Sequence, residues 1–220
     1  PMFVARTMKK KIVTAAPSAS LFEAQRQMRE HTIRQVPVVS EDGTLLGIVS
    51  DRDIRAAVLP ADLVPGFTAG EAEKFMKNTP VERVMTRKVV TATRTDTLED
   101  AIVLLHDFRV NALPVVDAAG KVAGIITRTD VLEAFIDALG VGEVSSRLEV
   151  VVPDRPGTLA QLAAIIGSFH VNITSVISTQ HEVGKRADFL RVATLNVGPI
   201  RKAIEEAGFE ILDPSKFLLP

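Results

Sequence analysis

Apolar positions in this chain fall into short runs that alternate with stretches of helical spacing. After Ile12-Val13 come Leu21, Ala24 and Met28, then Val36-Pro37-Val38-Val39, then Leu45-Leu46-Gly47-Ile48-Val49. Short β-branched runs bounded by turn residues predict strands, and apolar residues three or four apart predict an amphipathic helix. The segment therefore reads strand, helix, strand, turn, strand, helix. Ser20 starts the first helix, because Ser20-x-x-Glu23 can bond the free amides of a first turn reciprocally. Glu41-Asp42-Gly43 is the turn, where glycine takes positive φ at no steric cost. The closing helix is expected from Ser50 to about Leu59.

The same pattern returns without a gap, residue n matching residue n+77 from Val4 to Leu59. Identities include Val4/Val81, Met8/Met85, Thr14/Thr91, Leu21/Leu98, Ala24/Ala101, Pro37/Pro114, Gly47/Gly124 and Asp53/Asp130. The second copy has its own first strand at Val89-Val90, helix start at Thr97-x-x-Asp100, turn at Ala118-Ala119-Gly120 and final helix from Thr127 to about Leu139. One such unit cannot cover its own sheet, so the copies are expected to pack about a pseudo-two-fold axis. Pro60 to Pro80 reads as a linker: a loop at Pro65-Gly66, then a short polar helix near Glu71 to Lys77.

After Gly140-Val141-Gly142 the pattern changes. Arg147 to Val152 reads as a strand, and Asp154-Arg155-Pro156-Gly157 leads into a helix with Leu159, Leu162, Ala163 and Ile166 on its apolar face. Strands Val171–Thr179 and Ala187–Val197 flank a turn at Gly184. A helix from Pro199 turns Ile200, Ala203, Ile204 and Ala207 inward and stops at Gly208, and Phe209–Leu212 is the last strand. The order is βαββαβ. The chain is thus expected to be α/β (α+β), with a first repeat at 1–59, a linker at 60–80, a second repeat at 81–140 and a third domain at 141–220.

Composition narrows the function classes. With 220 residues and 46% hydrophobic content the chain can bury sizeable cores, and a net charge of -1 gives no global attraction to nucleic acid. No apolar run is long enough for a bilayer, and residues 2–6 lack a signal-peptide pattern, so a cytoplasmic protein is expected, away from membrane and nucleic acid. Cysteine is absent, which removes thiol nucleophiles and zinc-thiolate sites, and the four histidines lack metal-ligand spacing. No nucleophile elbow or P-loop lysine occurs, so no enzyme, metal or required cofactor is expected.

The positions with chemical content are Gly47-x-x-Ser50-x-x-Asp53 and Gly124-x-x-Thr127-x-x-Asp130. A hydroxyl three residues before an acid at a strand-to-helix turn is a capping box, which explains both structurally. The same helix start offers donors to a phosphate, and its carboxylate can accept ribose hydroxyls. Arg52, Arg55 and Arg128 lie nearest in sequence for phosphates, while the run Lys9-Lys10-Lys11 reads as solvated surface.

These motifs, with Pro37-Val38-Val39 and Pro114-Val115-Val116, make residues Val4 to Leu139 resemble tandem CBS domains. The resemblance implies an adenine nucleotide or S-adenosylmethionine as effector. It assigns Thr14 and Thr91 to adenine, Val36, Val38, Leu113 and Val115 to the base pocket, Ser50 and Thr127 to phosphate or ribose, and Asp53 and Asp130 to ribose. Arg147 to Leu212, with Asp154-x-Pro156-Gly157-x-Leu159 and Asn172-Ile173, resembles a ferredoxin-like ACT domain. That implies an amino-acid site at Asp154, Pro156, Gly157 and Asn172, completed across a dimer interface, or a domain that only dimerises. The order CBS, CBS, ACT resembles the acetoin-utilisation B family. The whole implies a homodimeric, ligand-sensing regulator of a partner protein; the alternative is a homodimeric scaffold without a physiological ligand.

Overall fold

In the computed structural model, which describes residues 3–62 and 68–212, the local signals of both repeats produce matching elements. A short turn of helix, α1 (Val4–Thr7), precedes α2 (Leu21–Glu30), whose first turn is closed by Ser20 Oγ accepting from the Glu23 amide at 3.2 Å. Strands β1 (Gln35–Val39) and β2 (Leu45–Ser50) form an antiparallel hairpin, followed by α3 (Asp51–Asp62) and α4 (Ala69–Asn78). In the second repeat β3 (Ala92–Thr93), α5 (Leu98–Asp107), β4 (Ala112–Val116), β5 (Val122–Thr127) and α6 (Arg128–Ala138) repeat that order. Even the irregularity repeats: the hairpin register shifts between Val38 and Val39 and again between Val115 and Val116.

Three expectations need correction here. Ile12-Val13 and Val89-Val90 are not regular strand; the paired residues are Ala15, bridged in parallel to Val38, and Ala92-Thr93, paired with Val115-Val116. Pairing falls where a small residue can enter the core, Ala15 and Ala92 being buried and the preceding apolar pair only half-buried. Helix α3 continues through Asp62, beyond the expected end at Leu59, and α4 starts before Glu71, its Thr68 and Glu71 closing a capping box. The loop expected at Pro65-Gly66 lies outside the described residues.

The repeats exchange their leading segments. The Val4 amide donates to Asp96 O (2.8 Å), and Lys9 exchanges two backbone bonds with Ile125 (2.9 and 3.0 Å), so residues 4–9 complete the second repeat. In mirror fashion the Val81 amide donates to Ala19 O (2.8 Å), Thr86 exchanges two bonds with Ile48 (2.9 and 3.0 Å), and Val81 and Met85 sit in the first repeat's core with Leu21, Ala24, Met28, Val36, Val38, Val49 and Ile54. This crossing is how each undersized unit covers itself, and it realises the expected pseudo-symmetry. It also explains why glycine stands at the matching position of both motifs: a Cβ on Gly47 would lie 2.5 Å from Met85 Sδ, and one on Gly124 2.7 Å from Met8 Sδ and 2.9 Å from Lys9 O.

The first hairpin turn carries a pH dependence. Asp42 accepts from Ser40 Oγ (2.6 Å) and from Thr44 Oγ1 (3.0 Å), and these bonds, Ser40's first, hold its carboxyl down at about 2 from an ordinary 3.8. A depressed carboxylate contributes its stability above the unfolded value and loses it as pH falls through the folded one. The Asp42 carboxyl should titrate by NMR near pH 2, and wild type should lose stability relative to Asp42→Ala between about pH 4 and 2. An ordinary titration midpoint would mean that the turn does not select the ionised form.

The second unit, from Glu133 on, contains β6 (Ser146–Pro153), α7 (Thr158–Ser168), β7 (Ile173–Glu182), β8 (Lys185–Val192), α8 (Gly198–Glu206) and β9 (Glu210–Ile211), with strand order β7-β8-β6-β9. Period-2 alternation puts Leu148, Val150, Val152, Leu190 and Val192 on one face, against Leu162 and Ile166 of α7 and Ile200 and Ile204 of α8. Two residues expected on the inner faces are not there. Leu159 is 45% exposed because Thr158 holds the inward position, its hydroxyl donating to Pro153 O (3.1 Å) and Arg155 O (3.0 Å), and Ala207 lies past the end of α8 and is exposed. The long strands also shift: β7 starts after Asn172, and β8 ends at Val192 rather than Val197.

Candidate nucleotide site

The two strand-to-helix turns are near copies. Asp53 Oδ2 accepts from the Ser50 amide (2.8 Å) and the Ser50 hydroxyl (2.6 Å), while the Asp53 amide donates back to Ser50 Oγ at 3.2 Å. In the second repeat Asp130 Oδ2 accepts from the Thr127 amide (2.8 Å) and hydroxyl (2.6 Å), and its amide donates to Thr127 Oγ1 at 3.2 Å. Each acid thus commits one oxygen, Oδ2, to its cap and leaves Oδ1 out of it. The capping and ligand readings use different oxygens, so one residue can serve both.

The Oδ1 atoms differ between repeats. Asp53 is half-buried, and its Oδ1 has no partner among the described residues. Asp130 is only 4% exposed, and its Oδ1 sits 3.1 Å from Lys9 Nζ. The position equivalent to Lys9 is Thr86, held on β2 by the same pair of backbone bonds but uncharged. Lys9 is exposed, as a lysine run predicts, but its ammonium also reaches the buried acid of the second repeat. The signal available in the sequence was one of several differences between the repeats, lysine against threonine, at a position whose crossing to the other repeat only the fold reveals.

The remaining expected residues divide. Thr14 and Thr91 are half-buried, just ahead of the parallel pairing at Ala15 and Ala92. Val36, Val38, Leu113 and Val115 are completely buried, and Val36 and Val38 belong to the helix-packed core, so ordinary core packing accounts for their type. Arg52 is exposed. Arg128 is committed elsewhere: its Nη2 donates to Leu105 O and its Nε to Val110 O, both at 2.9 Å, which caps the carbonyl end of α5. Asp51 stands in the equivalent place of the first repeat and pairs with Arg55 at 2.8 Å, bordering a surface pocket of about 260 Å³ with Arg29 and Arg34.

In the second unit Gly157 is the N-cap of α7 with φ 90°, a left-handed conformation that favours glycine, and Asp154 and Pro156 are exposed beside it. Asn172 is exposed at the other end of the sheet, since Ile173 pairs with Val192 whereas Pro153 pairs with Lys185. Strands of this length put the two groups ~20 Å apart in one copy. Asn172 and the Asp154–Gly157 turn could meet at one ligand only across two copies.

Comparison with known proteins gives this geometry its class. Models of the CBS domain match residues 4–60 and 81–137, and a model of the ACT domain matches residues 146–209. The chain belongs to the CBS-domain proteins and carries an ACT domain after its CBS pair. CBS and ACT domains are regulatory modules. An uncharacterized protein, MJ1426 of Methanocaldococcus jannaschii, is 36% identical over 155 residues, which are 61% of this chain and 92% of that one. Among solved structures, the CBS pair of protein MJ0100, in complex with 5′-methylthioadenosine and S-adenosyl-L-methionine, superposes with a TM-score of 0.51 at 27% identity, over 61% of this chain and 97% of that one. CBSX2 in complex with AMP gives 0.52 at 29% identity, over 62% and 98%. Enzymes also match, but the inosine-5′-monophosphate dehydrogenase of Halobacterium salinarum does so over only 37% of its own length. Among the described residues no helix is long and apolar enough to cross a membrane.

Proposed function

We propose that this chain is a ligand-sensing regulator whose CBS pair binds an adenosine-containing nucleotide and alters the activity of a partner protein. The carrying observation is the Ser50–Asp53 turn, where a helix start with a capping hydroxyl stands beside a carboxylate oxygen that has no partner among the described residues. A helix N-terminus favours phosphate, and a carboxylate accepts from a ribose diol. The complexes of similar CBS pairs with AMP, S-adenosyl-L-methionine and 5′-methylthioadenosine supply the ligand class. Because the leading segments cross, each site would combine the acid of one repeat with the threonine of the other, Asp53 with Thr91 and Asp130 with Thr14.

The ACT domain is assigned an amino-acid ligand at Asp154, Pro156, Gly157 and Asn172, shared by two copies. The homodimer is supported by β7, an edge strand whose outer side pairs with no strand among the described residues and which exposes Val176 and Ile177. The CBS, CBS, ACT order supports placement in the acetoin-utilisation B group, and the composition supports a cytoplasmic site of action.

Native mass spectrometry of the purified protein reports subunit count and retained ligand together. Titration calorimetry with AMP, ADP, ATP, S-adenosylmethionine and 5′-methylthioadenosine should then find at least one that binds and raises Tm, as mass action requires of a ligand specific for the folded state. For the ACT domain, one of the common amino acids should raise Tm, and Asn172→Ala should remove that increment while leaving the ligand-free Tm unchanged. Silence from every nucleotide and amino acid would leave the homodimeric scaffold as the better reading.

A further inference from the structure

We infer that the two nucleotide sites of the CBS pair are not equivalent, and that Lys9 is the residue that makes them so: its ammonium occupies the ribose-accepting oxygen of Asp130, leaving Asp53 as the site that takes ligand first. The inference rests on the nucleotide reading above and adds to it a stoichiometry and a specificity-determining residue.

The two acids have the same cap, the same donors and matching distances, so the caps do not distinguish them. What differs is the side chain delivered by the crossed leading segment. Two backbone bonds fix Lys9 to Ile125 on β5, immediately before the Thr127–Asp130 turn, and its Nζ lies 3.1 Å from Asp130 Oδ1. With Oδ2 bonded by Thr127 and Oδ1 paired with Lys9, the carboxylate has both oxygens engaged. A ribose diol approaching Asp130 must displace a tethered cation from a carboxylate that is only 4% exposed. Thr86, fixed to Ile48 in the same way, is too short and carries no charge, so no cation among the described residues stands between a diol and Asp53 Oδ1.

Lys9 is itself 63% exposed, so its ammonium is displaceable, and the Asp130 site is weakened rather than removed. Its free end could also turn to a ligand phosphate, which would favour a phosphorylated ligand over a neutral one at that site. The choice of probes separates the two effects, because AMP carries a phosphate and 5′-methylthioadenosine does not.

Calorimetry on the full chain should give one tight equivalent of 5′-methylthioadenosine or AMP per chain, with any second equivalent at least tenfold weaker. Lys9→Thr, which copies the first repeat, should strengthen the second equivalent of 5′-methylthioadenosine at least fivefold and leave the first unchanged. Lys9→Gln keeps most of the length without the charge and should act in the same direction. Adding Asp130→Asn to Lys9→Thr should remove the gain, whereas adding Asp53→Asn should weaken the original tight site by tenfold or more. Two equal sites in the wild type, or a Lys9→Thr variant in which the second equivalent is unchanged or weaker with both probes, would overturn the inference while leaving nucleotide binding intact. Failure of both probes to bind wild type and every Lys9 variant would instead overturn the nucleotide reading, and this inference with it.

Discussion

Asp53→Asn is expected to weaken binding of AMP to the first-filled site by tenfold or more. A hydrogen bond to a charged acceptor contributes about 1.5 to 3 kcal/mol, and asparagine removes the charge while keeping the shape. The same change should cost little stability, because the asparagine carbonyl can still accept from the Ser50 amide that now bonds Asp53 Oδ2 at 2.8 Å. A deoxy control sharpens the reading. AMP lacking its 2′-hydroxyl should bind wild type worse than AMP does, yet the two should bind Asp53→Asn almost equally, since one lost partner cannot be lost twice. Asp130→Asn in an otherwise wild-type chain should leave the tight equivalent alone. Undiminished AMP affinity in Asp53→Asn would remove Asp53 from ribose recognition whatever else binds.

Gly124→Val should be among the most destabilising single changes in the CBS pair, by about 1 to 3 kcal/mol or more. Even a methyl group there would meet Lys9 O at 2.9 Å and Met8 Sδ at 2.7 Å. The sulfur can swing aside, but the carbonyl is fixed by its own bond to the Ile125 amide at 3.0 Å. The cost should therefore survive in Met8→Ala/Gly124→Val, only partly reduced, when unfolding is followed by denaturant titration. Gly167→Ala, in a helix where an added Cβ meets nothing within 4 Å, should instead stabilise by a few tenths of a kcal/mol or more, which separates steric conflict from a general sensitivity to glycine replacement.

The repeat made most of the fold legible before any coordinates: both hairpins, both capped helices and the change of pattern after Gly142 follow from periodicity and turn residues. What stayed hidden is of one kind. Val4, Met8, Val81 and Met85 form repeat identities whose burial was not foreseen, because their partners belong to the other copy and sequence spacing says nothing of which copy a short segment crosses to. Lys9 was discounted for the same reason, as a lysine run is ordinarily solvated and the buried acid that answers it lies far along the chain. Arg128 was legible only as a nearby cation; that its fork meets two backbone carbonyls depends on the path of the chain after α5. In the ACT domain the Asp154–Gly157 turn is legible in the sequence, whereas Asn172, expected inside a strand, lies just ahead of β7, and the separation of the two along the sheet is visible only from the register.

The exchanged leading segments bear on how the protein is made. Residues 4–9 are translated before the rest of the first repeat, yet their hydrogen-bond partners on β5, and the Gly124 surface that Met8 covers, follow only after the whole first repeat and the linker. Until then Val4 and Met8, both buried in the finished protein, remain uncovered, while the first repeat waits for Val81 and Met85 before its own core can close. The first repeat cannot complete its core as it emerges, and the second closes on residues made long before it, so closure of the pair depends on distant contacts, an order that slows folding and prolongs exposure of apolar surface. During synthesis this chain is therefore a candidate for chaperone protection at residues 4–9, rather than at a particular strand edge.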